Sequence, residues 1–332
     1  MLKRTAGRAV MAAALACAVS AQASVVMETV PVGNAGNAPD TRFSSPGFGA
    51  VNYAYNIGKY EVTAGQYTEF LNAVAATDTY GLYNPDMLTG SWACGIAQSG
   101  SPGSYTYSVG PDWANRPVSS ANWGDAARFV NWLHNGQPAG AQGPGTTEDG
   151  SYALNGATAD ADLVAIAREP GASWAIPTED EWYKAAYHKN DGATANYWTY
   201  GTASDVQPSN VLTSPDPGNN ANFFDTVYTV DAPYFTSEVG SFENSAGPYG
   251  TYDQVGNVTE WTEKVASATS RGGRGTNFAY GPFFLGAGGP ALSAPASLDL
   301  GFYGFRVVNV QVPEPGSLLF LMLGGLTILR RR

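Results

Sequence analysis

The sequence predicts an α+β fold with sparse secondary structure and much irregular backbone. Three observations lead there. Three short amphipathic helices begin with recognisable capping signals, glycine is abundant at 40 residues, and the segments after residue 190 are rich in turns and aromatics, with 19 Tyr and 8 Trp in the 332-residue chain. Only short strand-like runs separate the turns, so any sheet is small and its rigidity has to come from aromatic anchors.

The N-terminal segment MLKRTAGRAVMAAALACAVSAQAS carries Lys3, Arg4 and Arg8, then a short apolar run, then Ala21-Gln22-Ala23. A basic start, an apolar middle and an A-x-A end are the parts of a secretory leader, which predicts a signal peptide at 1–23 removed by signal peptidase. A lead-in follows at 24–49. The first helix is predicted in VTAGQYTEFLNAVAA, where Thr63 and Gln66 form a capping box and Tyr67, Phe70, Leu71 and Val74 share a face. Segment 80–113 then holds Tyr80, Tyr83, Trp92, Tyr105, Tyr107 and Trp113. Such side chains stack on sugar rings or anchor protein partners, and they also build cores.

The second helix is predicted in NWGDAARFVNWLHNG, with Trp123, Ala127, Val130 and Leu133 at helical spacing and Gly136 as a stop. Residues 135–162 lack helical periodicity and read as an exposed insertion. The third helix, in IPTEDEWYKAAYHK, has Thr178 and Glu181 as a capping box. Its first turn gathers Glu179, Asp180 and Glu181, which the helix dipole favours without any catalytic role. Short runs at 226–230 (TVYTV), 237–242 (SEVGSF) and 305–310 (FRVVNV) read as strands.

The chain ends VPEPGSLLFLMLGGLTILRRR, with an apolar part shorter than the ~20 residues a spanning helix needs. Removing both ends takes away six basic residues and one acidic one. That leaves 11 basic against 27 acidic residues, a mature net charge of −16. Such a surface repels phosphate backbones, so nucleic acid is not an expected partner, and it suits divalent cations. Of the two cysteines, Cys17 leaves with the leader, so Cys94 stands alone and no internal disulfide forms. A lone buried Cys acts as a small hydrophobe. His134 and His188 each end a predicted helix, where a positive charge is favoured, and no facial triad for iron is suggested. Arg271 and Arg274 are read as braces for glycine-rich backbone, with anion binding as the alternative. The sequon at Asn257 is discounted, because it lies inside a candidate metal loop.

Several blocks together resemble a known family: GKYEVTAGQYTEFLNA, RPVSSANWGDAARFVNWL, IPTEDEWYKAA, YGTYDQVGNVTEWTE, SRGGRGTNF and GFRVV. In this order, over 50–310, they resemble the formylglycine-generating enzyme (sulfatase-modifying factor) domain. The resemblance implies a C-type-lectin-like fold with a small twisted antiparallel sheet and two structural calcium ions. The Pro-Glu-Pro, apolar helix and arginine tail at 312–332 resemble a PEP-CTERM sorting signal. That signal implies exosortase processing, export through the inner membrane with transient anchoring, and a final place at the cell surface or in the extracellular matrix.

For the loop at 249–261, spacing alone reads as a plain turn with two solvated acids. The resemblance implies instead a calcium ion held by the side chains of Asp253 and Glu260 and the carbonyls of Gly256 and Val258, with Trp261 anchoring the loop. Calcium takes six to eight oxygens, which carboxylates and carbonyls together supply. A second site is implied at Asn222 and Asp231 through side chains and at Phe223 and Pro233 through carbonyls. The family's two copper-binding cysteines match Asn277 and Pro282 here. Soft thiolates select copper(I), and neither residue replaces one, so no copper or iron is expected. Two functions follow. One is a non-catalytic, calcium-stabilised exported protein that binds a polysaccharide or a protein ligand. The other is an oxidoreductase with altered chemistry in a redeployed cleft around Asn277 and Arg306.

Overall fold

Residues 24–310 are described by the computed structural model; the leader and the sorting segment lie outside the described residues. Strands β1 (Thr29–Val32) and β2 (Tyr55–Gly58) precede helix α1 (Ala64–Val74). A single turn α2 (Asp86–Thr89) leads into the hairpin β3 (Ile96–Ser99) and β4 (Thr106–Val109), followed by α3 (Pro111–Ala114). Helix α4 (Trp123–His134), helix α5 (Asp160–Ala165), strand β5 (Trp174–Ala175) and helix α6 (Glu179–Tyr187) come next. After a long run of turns come β6 (Thr259–Val265), β7 (Ser270–Arg274), β8 (Leu292–Pro295), β9 (Tyr303–Gly304) and β10 (Val308–Asn309).

Two four-stranded sheets order as β1-β2-β10-β5 and β8-β7-β6-β9, beside the separate β3-β4 hairpin. All pairings are antiparallel except β6 with β9. The first and last described strands share the first sheet, since β10 inserts between β2 and β5. This places Arg306, just before β10, beside the Gly58 carbonyl ahead of α1.

Capping fixes the helices as the sequence predicts. Thr63 Oγ1 accepts the Gln66 N–H at 3.2 Å and Gln66 Oε1 accepts the Thr63 N–H at 2.9 Å. Thr178 and Glu181 repeat the exchange at 3.0 and 2.7 Å. Helix α4 has the same device in Asn122 and Asp125, a pairing that the S/T-x-x-E/Q signature does not describe. One large core joins α1, α4 and the strands through Tyr67, Phe70, Phe129 and Trp132, and a smaller one surrounds α6 through Trp182, Tyr183, Tyr187 and Phe223.

Several expectations are corrected. Neither 226–230 nor 237–242 is a strand. Their backbone groups find partners outside any sheet, Val227 bridging the nearby Asp225 and the Val239 N–H bonding the distant Asn115 carbonyl at 2.9 Å. Of 305–310 only Val308–Asn309 is strand. Segment 135–162 is not an exposed insertion. Thr147, Glu148, Ser151 and Tyr152 are buried, and Glu148 holds Arg128 of α4 in a buried ion pair at 2.7 Å. None of the six aromatics in 80–113 stands exposed. Trp92 packs on Phe278 and Phe302, Tyr83 on Tyr107, and Trp113 on Tyr234.

Candidate metal and ligand site

The loop from Asp253 to Glu260 is held in a left-handed path, with φ of 61° at Asp253, 96° at Gly256 and 56° at Asn257. Gly256 is required sterically as well. A Cβ there would lie 2.2 Å from the Asn222 carbonyl oxygen. The Asn257 N–H bonds that same oxygen at 2.8 Å, so the two segments of the implied calcium sites abut. Trp261 is fully buried, and its indole N–H bonds the Ala121 carbonyl at 2.9 Å, which anchors the loop as expected.

Asp253 and Glu260 both turn inward. Glu260 Oε1 accepts from Arg306 Nη2 at 2.6 Å, and Oε2 accepts from the Trp182 indole N–H at 2.7 Å and from Arg306 Nε. Asp253 Oδ2 accepts the Gly240 N–H at 2.6 Å. Burial pushes the Asp253 carboxyl up to about 6, the nearby Glu260 charge adding to it against the Gly240 N–H and Arg306. Glu61, absent from the sequence-derived set, joins them. It is 1% exposed; Oε1 accepts from Asn257 Nδ2 at 3.1 Å, and Oε2 has no partner. Burial first, and then Asp253, hold its carboxyl well above the usual range.

These residues fit a calcium ion in kind. Glu61, Asp253 and Glu260 neighbour one arginine, Arg306, in a largely buried setting, where uncompensated charge is costly. Outside the strand ladders, no described residue donates to the carbonyls of Gly256 or Val258. Although these three acids are neighbours, among the described residues no three acidic, His or Cys side chains are arranged to hold a metal ion by themselves, so backbone oxygens would have to complete the shell. The second set is only partly assembled. Asn222 is buried, gives its amide N–H to Asn257 Oδ1 at 3.1 Å, and leaves Oδ1 unpartnered. The Phe223 carbonyl already accepts from Thr229 Oγ1 at 3.1 Å, whereas Asp231 and Pro233 are exposed.

The two positions matching the thiols are both far from reactive. Asn277 is fully buried, donating to Thr259 Oγ1 at 3.0 Å and accepting the Ala279 N–H at 3.0 Å. Pro282 opens a single 3-10 turn, Pro282–Phe284, beside a shallow groove of about 390 Å³. Phe43, Tyr200 and Phe283 line this groove over Gly286, Gly288 and Gly289, with Phe283 77% exposed. Arg306 is sealed against Glu260, so it forms no open cleft with Asn277.

The remaining candidates are structural. Arg271 caps the carbonyls of Glu263, Leu163, Val164 and Ile166 and lies 3.9 Å above the Trp123 ring; Arg274 pairs with Glu179 at 2.6 Å. Cys94 is buried, and burial raises its thiol. The Asn257 side chain is fully buried, so its sequon is inaccessible. His134 Nδ1 meets Ser173 Oγ at 2.8 Å. His188 corrects the expectation of a charged helix end. Burial, and then Lys184, lower its pKa, and its Nδ1 accepts the Asn190 N–H at 3.2 Å and meets the Tyr249 hydroxyl at 2.7 Å.

Comparison with known proteins agrees with this architecture. The model of the sulfatase-modifying factor enzyme 1-like domain matches residues 20–310. The chain belongs to that family. As a sulfatase-modifying factor domain it also resembles solved structures in fold. CarF superposes with a TM-score of 0.53 at 19% identity, covering 86% of this chain and 99% of CarF. Variable protein 1 of Treponema denticola gives the same TM-score and identity over 88% of this chain and 98% of its own. No curated protein sequence matches the chain. The PEP-CTERM protein-sorting motif matches residues 311–332, which marks this sulfatase-modifying factor protein for export and for membrane-associated processing by exosortase-type machinery. The fold is the C-type-lectin-like α+β arrangement of this family.

Proposed function

We propose that the mature protein is a non-catalytic, calcium-stabilised component of the cell surface or extracellular matrix that binds polysaccharide. One observation carries the reading. Where the family's oxygen-activating thiols are expected, a buried hydrogen-bonded amide and a proline stand, and Cys94 is packed away elsewhere. Neither side chain binds copper(I) as a soft ligand. The groove beside Pro282 offers apolar surface: Phe43 and Phe283 expose flat faces beside glycines, an arrangement suited to the apolar face of a sugar ring. The sorting motif supports export of the chain, which suits an extracellular polymer as ligand.

Co-sedimentation of the mature protein with polysaccharide extracted from the producing cells tests this. Retention is expected with calcium present, and Phe283→Ala together with Phe43→Ala should weaken it several-fold. Stoichiometric copper or iron in the purified protein, or oxygen consumption with a thiol substrate, would overturn the reading in favour of an oxidoreductase.

A further inference from the structure

A second cleft, away from both the calcium loop and the Pro282 groove, lies at the N-terminus of α4. Its volume is about 310 Å³, and Tyr80, Asn122, Asp125, Arg128, Ser297 and Asp299 line it, with Thr158 at the rim. Asp125 is 2% exposed. Its Oδ2 accepts the Asn122 N–H at 3.0 Å, and no described N–H reaches its Oδ1. Asp299 accepts from Asn84 Nδ2 at 2.6 Å and from Asn122 Nδ2 at 2.9 Å, so Asn122 touches both acids. Asn122, bonded to both, sets the two carboxyls close together; burial, with their mutual repulsion at Asp125, raises both.

The surroundings narrow the ligand. Arg128 is spent on Glu148, at 2.7 and 3.0 Å, and on the Ala157 carbonyl, so no free cation awaits an anion. Asn84 and Asn122 turn amide N–H groups toward Asp299, which would repel a metal ion and leave it short of oxygens. Two carboxyls side by side along a cleft, with amide groups beside them, offer several acceptors to neighbouring hydroxyls, which a sugar ring supplies. Ser297 and Thr158 add hydroxyls, and the Tyr80 ring, 4.5 Å from the Arg128 guanidinium carbon, forms a wall. The volume sits at the lower end of small-ligand pockets.

We propose that this cleft seats one ring of a neutral sugar, with two neighbouring hydroxyls on Asp125 and Asp299 and the ring beside Tyr80. The proposal rests on the polysaccharide-binding reading and names a place for one residue of the polymer. Calorimetric titration of the mature protein with the methyl glycosides of glucose, galactose and mannose tests it. At least one should bind, and both Asp299→Asn and Thr158→Trp should weaken it tenfold or more. Thr158 is exposed, so a tryptophan there blocks the mouth without entering the core. Unchanged affinity in Thr158→Trp, with an unchanged melting temperature, would overturn the site. So would a melting rise with calcium chloride alone that Asp299→Asn abolishes. Polymer retained by wild type without glycoside binding sinks the cleft and leaves the function standing. Glycoside binding without polymer retention does the reverse.

Discussion

At the scale of single residues, Gly256 and the Glu260–Arg306 pair carry the strongest expectations. Gly256→Ala meets both a left-handed φ and a backbone oxygen 2.2 Å from the new Cβ, and neither can be relieved by a side-chain rotation. Urea unfolding should show a loss of about 2–4 kcal/mol, in the range of overpacking plus backbone strain. Arg306→Met strands Glu260 without its countercharge and should cost about 3–5 kcal/mol, while Glu260→Leu/Arg306→Met should recover much of that. A double variant as unstable as the single one would show that the pair is not the reason. His188 sets a pH signature. Its folded pKa lies below 6.5, so between the two values the unfolded chain binds a proton that the folded chain does not. Its contribution is therefore full above pH 6.5 and is lost as pH falls through the depressed value. The difference in melting temperature between wild type and His188→Gln should shrink as pH drops from 7.5 to 5, and a constant difference would refute the assignment. Asp253, Glu260 and Trp261 were legible because a specific block contains them. Glu61 was not, since a lone glutamate ahead of a helix reads as solvated; only the fold brings it to Asn257, 196 residues away.

At the scale of elements, short-range signals were the readable ones. The Thr63–Gln66 and Thr178–Glu181 boxes place α1 and α6 within a residue of their predicted starts, because an N-cap depends on contacts three residues apart. Thr178→Ala should cost about 1 kcal/mol by loss of the cap, measured as a lowered urea midpoint at unchanged slope. The strands were poorly legible for the opposite reason. β10 pairs with β2 and β5 across more than 130 residues in sequence, so composition at 226–230 and 237–242 signals equally well for strands that never find a partner. Segment 135–162 misled similarly. Its glycines and alanines suggest a loop, yet Glu148 is drawn inside by Arg128, whose own position on α4 only the tertiary structure reveals. The acids heading α6 show both influences. Glu181 completes the cap and also pairs with Arg168 at 2.8 Å, so the helix dipole is only part of why it sits there.

At the scale of the whole molecule, rigidity has to be found without a disulfide among the described residues and with few strands. Buried polar hubs supply part of it: Arg306 alone ties Gly58, Tyr252 and Glu260, drawn from both halves of the chain. Such a hub leaves two acids, Glu61 and Asp253, without a cation of their own, and the strongly acidic mature chain adds general repulsion to the folded state. Under the proposed calcium-stabilised reading, a divalent ion that binds the assembled loop and not the unfolded chain would relieve both at once. At free calcium ten times its dissociation constant, the gain is about 1.4 kcal/mol per site. For a domain of this size that corresponds to a melting shift of about 2–4 °C. Scanning calorimetry of the mature protein in 1–10 mM calcium and again in EDTA should show that shift. Asp253→Asn should abolish the dependence, while Asp231→Asn, at an exposed and unassembled position, should leave the larger part of it. Equal melting in calcium and in EDTA would mean that Glu61 and Asp253 are neutralised by protons instead, and that the loop holds only itself.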